Sequence, residues 1–168
     1  MHALNTKYRI LNTRKNSRRV LAIDPGYDRM GIAVMEGATL VFSECFSPKK
    51  GVLAERLGEI FKKTAELVAK HTPDALALET IFFSKNQKTA IAVAEARGAI
   101  IAAAAIARVP IYEYSPQAVK IAVTGLGNAG KDAVIRMVEK LIALPTKKRL
   151  DDEYDAIALA IAHQAVVH

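Results

Sequence analysis

Arg19-Val-Leu-Ala-Ile-Asp24-Pro25-Gly26 (RVLAIDPG) is the stretch on which the fold turns. Six residues, mostly β-branched or apolar, run into Pro-Gly, so the reading is a strand that ends in a turn with Asp24 as its last residue. Working outward, Met30–Met35 and Leu40–Phe46 read as two further strands parted by Glu36-Gly37, which completes a three-stranded antiparallel meander. Residues 52–71 have helical spacing, with Leu53, Leu57, Ile60, Phe61, Ala65 and Val68 on one face. Ala75–Glu79 (ALALE) follows Pro73-Asp74 and reads as a buried strand.

Residues 86–108 form a long helical segment that is apolar nearly all round, which places it centrally in the core or under a partner. A short strand is expected over Pro110–Tyr114 and helices over 117–123 and 131–144, parted by the loop GLGNAG (Gly125–Gly130). A last helix begins at Asp151. The order β-β-β-α-β-α-β-α-α-α implies an α/β fold, a mixed five-stranded sheet with helices on both faces.

The 168 residues, 51% hydrophobic and 24% charged, favour one globular domain over a disordered chain. The longest apolar run, Ala99–Ala107, is well short of the ~20 residues that cross a bilayer, so no membrane association is expected. No signal peptide opens the sequence, and Cys45, the single cysteine, fits a reducing compartment; a soluble cytoplasmic protein is the expectation. The net charge of +7 is unevenly spread. Of 24 basic residues, six (Lys7, Arg9, Arg14, Lys15, Arg18 and Arg19) fall in the acid-free segment 1–19, leaving 18 against 17 acidic residues in the remainder. The expected division is a flexible basic tail over 1–18 and one domain over 19–168. Such a tail suits phosphate backbones, and equally a solvated terminus.

The acids are placed informatively. Asp24 and Glu79 each close an apolar strand, at a sheet rim where ligand sites form. Asp151, Asp152 and Asp155 open the last helix. Both i,i+3 and i,i+4 spacings set two carboxylates side by side, so Asp151 and Asp152 are equivalent on geometry. Clustered carboxylates repel unless a cation neutralises them, and hard oxygen ligands suit Mg²⁺ or Mn²⁺. Two such ions can cleave a phosphodiester. Taken singly, each acid has a structural explanation as a helix cap, a turn residue or an ion-pair partner. Their convergence points to metal-dependent cutting of nucleic acid.

From about Arg19 to His163 the chain resembles the RuvC-type Holliday-junction resolvases. The resemblance rests on Asp24-Pro25-Gly26 with Gly31, on Glu79 with Phe82, Lys85, Asn86 and Ala96-Arg97-Gly98, and on Tyr114, Val119-Lys120, Gly125-x-Gly127 and Lys131. Its last block is Asp152-x-x-Asp155-Ala-x-Ala158 with His163. It implies an RNase H-like fold and a homodimer that cuts four-way DNA junctions in recombination and repair. It also implies an Mg²⁺-dependent endodeoxyribonuclease with two ions per site (Mn²⁺ able to substitute) that leaves 5′-phosphate ends, with a branch-migration helicase as a further partner. Asp24, Glu79, Asp152 and Asp155 would bind the metals and carry catalysis, the alignment choosing Asp152 over Asp151. Phe82 would stack on a base, and Lys85, Lys120 and Lys131 would contact DNA.

The chain departs from the family pattern at Met30 and Ala33, which stand for a threonine and a glycine, at Ala133, where a glutamine is common, and in the additional acid Asp28. The pattern Asp24, Gly26, Gly31, Ala33 also echoes YqgF-type RNA nucleases. An inactive junction-binding protein is the non-enzymatic alternative. An actin-like ATPase shares D-x-G-x-x-x-x-G but needs a second similar domain.

Overall fold

The computed structural model describes residues 19–81 and 87–166. The expected basic tail over 1–18, with Phe82 and Lys85, lies outside the described residues. Ten elements follow in the expected order: β1 (Arg19–Asp24), β2 (Met30–Glu36), β3 (Thr39–Phe46), α1 (Leu53–His71), β4 (Ala75–Glu79), α2 (Gln87–Ile106), β5 (Ile111–Tyr114), α3 (Pro116–Thr124), α4 (Lys131–Leu141) and α5 (Asp151–Val166). The sheet order is β3-β2-β1-β4-β5. β1–β2 and β2–β3 pair antiparallel, as short turns allow, and β4 and β5 add in parallel after helical crossovers.

β1 lies in the middle, so both of its faces must be covered, and its residues alternate accordingly. Leu21 and Ile23 join Ile32, Val34, Leu76 and Leu78 beneath α1 and α2, through Ile60, Leu67, Ala96 and Ile100. Val20 and Ala22 join Ala33, Ala75 and Ala77 beneath α3, α4 and α5, through Val119, Val138, Ile157 and Leu159. Every one of these is a small or branched apolar side chain. A fully buried leucine or isoleucine contributes about 1.5–3 kcal/mol relative to exposure, and the two slabs together hold the sheet between helices.

Three expectations shift. The buried stripe of α1 is Ile60, Thr64, Leu67, Val68 and His71, so Phe61 and Ala65 lie at its edge; Thr64 is accommodated because its hydroxyl donates to the Ile60 carbonyl at 2.9 Å. α4 stops at Leu141 because Ile142 is already extended, three residues before Pro145. α2, taken as a helix rather than as an apolar run, is the only one among the described residues long and apolar enough to cross a membrane, over Thr89–Ile106. Its alanines keep it apolar around Glu95 and Arg97. Only 28% of that stretch is buried, so much of α2 lies outside the core.

Candidate active site

The carboxyl ends of parallel β1 and β4 lie side by side, in register from Val20–Ala75 to Ile23–Leu78. Asp24 and Glu79 therefore emerge from neighbouring strands at one rim. The first turn of α5 reaches the same rim. It can do so because Gly31, paired with Asp24 in the β1–β2 ladder, has no side chain. A Cβ on Gly31 would stand 1.8 Å from the Asp152 carbonyl oxygen and 3.3 Å from the Asp24 Cβ. Opposite, Gly26 makes the turn after β1 possible, since a Cβ there would meet the Arg29 carbonyl at 2.0 Å.

The resulting cluster is electrostatically loaded. Asp24 is pushed up to about 8, first by burial and then by the charges of Glu79, Asp155 and Asp152. Glu79 rises to about 7, again mainly by burial and by Asp155, opposed by a hydrogen bond from Asp24 and by the charges of Lys120 and Lys131. Burial also raises Asp155, against the pull of Lys131. Burial and mutual repulsion thus hold both carboxyl groups well above the ordinary carboxylate range. Asp151 is well exposed and stands against Lys131 and Asp155, whereas the charge of Asp152 acts on Asp155 and also on Asp24. Of the two, Asp152 is the one whose charge bears on Asp24 at the end of β1.

Cations stand against these acids. The Lys131 Nζ, at the start of α4, lies 3.0 Å from Asp155 and 3.4 Å from Asp151. Arg29 reaches Asp152 at 3.3 Å, and the Cys45 thiol donates weakly to the same oxygen at 3.8 Å. Among the described residues no three acidic, histidine or cysteine side chains close around a single point as a finished metal cage. The donor set nonetheless fits a hard divalent ion, since Mg²⁺ takes one or two carboxylates and completes its octahedron with water and phosphate. Asp28, the unexpected acid, turns away and pairs with Arg56 of α1 at 2.6 Å.

Supporting contacts hold the strand ends. Arg97 of α2 donates to the Glu79 carbonyl at 3.3 Å and pairs with Glu113 on β5. The Thr80 N–H bonds the Tyr114 carbonyl, extending β4–β5 past Glu79. The Tyr114 hydroxyl lies 2.9 Å from Nδ1 of His163 on α5; burial lowers that imidazole to about 4, so it is neutral there. Glu153 is buried behind Asp152, held by Lys147 at 2.6 Å and Arg149 at 3.3 Å. Sequence motifs included Arg97, Tyr114 and His163 without giving them partners, and offered no signal for Arg29, Cys45 or Glu153, whose neighbours are distant along the chain. A groove of about 280 Å³ opens beside Asp24 and Glu79, walled by Pro25, Ile81, Val93 and Pro116. A larger hollow along α1, near Lys49 and Lys62, holds none of the four acids.

Residues 20–163 match the family model of the crossover junction endodeoxyribonuclease RuvC. The chain belongs to the RuvC family. It is accordingly an endonuclease with the RNase H-like fold. RuvC of Pelotomaculum thermopropionicum is 41% identical over 149 residues, covering 86% of this chain and 91% of that one. RuvC of Moorella thermoacetica is 42% identical, with 86% and 89% covered. Among solved structures, Thermus thermophilus RuvC in complex with Holliday junction substrate superposes with a TM-score of 0.80 at 34% identity, over 87% of this chain and 92% of that chain.

Proposed function

We propose that this RuvC-family endonuclease resolves four-way (Holliday) DNA junctions during recombination and repair by Mg²⁺-dependent nicks in two opposing strands of like polarity. The observation that carries the reading is the meeting of Asp24, Glu79, Asp152 and Asp155 at one rim, from two strand ends and a helix start. Similarity to a junction-bound RuvC supports the choice of substrate.

In this reading the four carboxylates hold two Mg²⁺ ions, for which Mn²⁺ substitutes. When bound, the ions supply the charge that makes water nucleophilic and stabilises the leaving oxygen. The chain's own residues do the rest. Asp24 and Glu79 would offer their carboxylates from the two strand ends. Asp152 and Asp155 fix the second side of the site from the rigid first turn of α5. Lys131, already beside Asp155, places a positive charge where the phosphate gains negative charge. Lys120 holds the DNA backbone, with Lys85, while Phe82 stacks on a base near the junction centre. Water adds to phosphorus and the 3′ oxygen leaves with a proton, giving 5′-phosphate and 3′-hydroxyl ends.

The domain is residues 19–168, and the basic segment 1–18 is an arm for DNA phosphates. The active form is a homodimer through α2, because a two-fold dimer presents two equivalent sites to a two-fold junction. A branch-migration helicase is the further partner, and the cytoplasm, where bacterial DNA lies, is the setting. The test is cleavage of a synthetic four-way junction with mapped ends, in Mg²⁺ and in chelator. Paired 5′-phosphate nicks in Mg²⁺ alone are expected; an intact junction that is nevertheless bound would defeat the catalytic reading. Asp24→Asn should abolish cutting and retain junction binding.

A further inference from the structure

Arg29 stands at the mouth of the cluster, and none of the roles above uses it. Its guanidinium touches one oxygen of Asp152, at 3.3 Å, and is 54% exposed where Asp152 is 22% exposed. Its base is rigid. The Arg29 carbonyl is packed against Gly26, and Met30, the next residue, is fully buried in the sheet. The side chain thus extends from a fixed point, with the carboxylate on one side and open solvent on the other. Lys131 stands in the same relation to Asp155 and Asp151. Cations of the chain therefore hold carboxylate oxygens that an incoming divalent ion would need.

An arginine placed for structure is buried and makes several hydrogen bonds from its five donors. A single long contact by a half-exposed guanidinium is a weak pair, easily exchanged. Once a doubly charged ion takes Asp152, the guanidinium is repelled from it and has one strong alternative nearby, a DNA phosphate, which arginine binds in a bidentate manner.

Building on the metal-site reading above, we propose that Arg29 is an exchangeable counter-ion. It neutralises Asp152 in the metal-free protein, is displaced by metal, and then binds a DNA phosphate beside the one that is cut. Metal binding and DNA binding are thereby coupled, each raising the affinity of the other by the same factor. Arg29 competes with the metal and cooperates with the substrate, and these opposite signs make the role testable.

Calorimetry of Mn²⁺ binding to the full-length protein without DNA is the first measurement. Arg29→Ala is expected to bind Mn²⁺ about three- to tenfold more tightly, because a competing charge is removed. Arg29→Lys should stay near wild type, and Lys50→Ala, which removes a charge from the neighbouring loop after β3, should change nothing. The second measurement is junction affinity with and without Ca²⁺ as a probe ion that loads the site. Ca²⁺ should tighten wild-type binding, and Arg29→Ala should lose most of that gain. Weaker or unchanged Mn²⁺ binding in Arg29→Ala, an equal rise in Lys50→Ala, or an undiminished Ca²⁺ effect would each overturn the proposal. Asp152→Asn separates the two readings: if it leaves Mn²⁺ binding intact, the metal site itself is misassigned, whatever Arg29 does.

Discussion

At the scale of residues, the site stores electrostatic cost in its metal-free form. In an unfolded chain Asp24 and Glu79 ionise in the ordinary carboxylate range near pH 4. In the fold, burial and the neighbouring acids hold them protonated up to about 8 and about 7. The folded state therefore binds more protons than the unfolded one between these limits, and stability must fall as pH rises through that window. Thermal melts of chelated protein should show Tm declining from pH 5 to pH 8 more steeply than in Asp24→Asn, which carries no charge to repel. Mg²⁺ should raise Tm far more at pH 8 than at pH 5, since at low pH protons occupy the ligands. A flat difference between the two proteins across that range would mean that Asp24 is not the stressed group. The Asp24→Asn variant should also be more stable than wild type near neutrality without metal, while losing all cleavage.

At the scale of elements, the decisive joint is β2 against α5. Gly31 leaves no room for a Cβ above the Asp152 carbonyl, so Gly31→Ala must push the first turn of α5 outward. Overpacking of this kind costs about 1–3 kcal/mol, readable in urea unfolding. Because the same turn carries Asp152 and Asp155, metal affinity should drop along with stability; an alanine variant that melts early but binds metal normally would show the joint to be structural alone. This joint marks the limit of what the sequence discloses. The elements themselves were legible, since apolar runs bounded by Pro25-Gly26, Pro73-Asp74 and Pro110 admit few readings and all ten appear. Asp24, Glu79 and Asp155 were legible as strand-end and helix-start acids. Asp151 and Asp152 could not be separated by spacing, because they differ in partners distant along the chain, Arg29 and Cys45 for Asp152 and Lys131 for Asp151. Arg29 and Cys45 flank Asp152 only because Gly31 pairs with Cys45 across β2–β3, and pairing between strands has no local signature. The departures Met30 and Ala33 prove to be core residues, buried on opposite faces of the sheet.

At the scale of the whole molecule, the exposed side chains of α2 and the proposed basic arm carry the remaining expectations. Ile91 and Ile106 of α2 are 60% and 74% exposed, an apolar display suited to a second copy of the chain. Ile91→Asp with Ile106→Asp should convert a dimer to a monomer in sedimentation and uncouple the two nicks; an unchanged sedimentation coefficient would remove α2 from the interface. Deleting residues 1–18 should flatten the dependence of log junction affinity on log salt by about 0.9 for each phosphate that the arm neutralises, while leaving the cleavage rate of bound junction intact. The sheet connects these parts through distant pairings, and that has a consequence for when the enzyme becomes dangerous. β1, β2 and β3 are joined by short hairpins, β4 follows a helical crossover, and α5 is the last of the ten described elements in chain order. Non-local contacts of this kind form late. Until α5 is made, a growing chain would carry Asp24 on β1 without Asp152 and Asp155. On the site proposed above, a fragment that stops short of α5 would lack two of the four acids and would not cut.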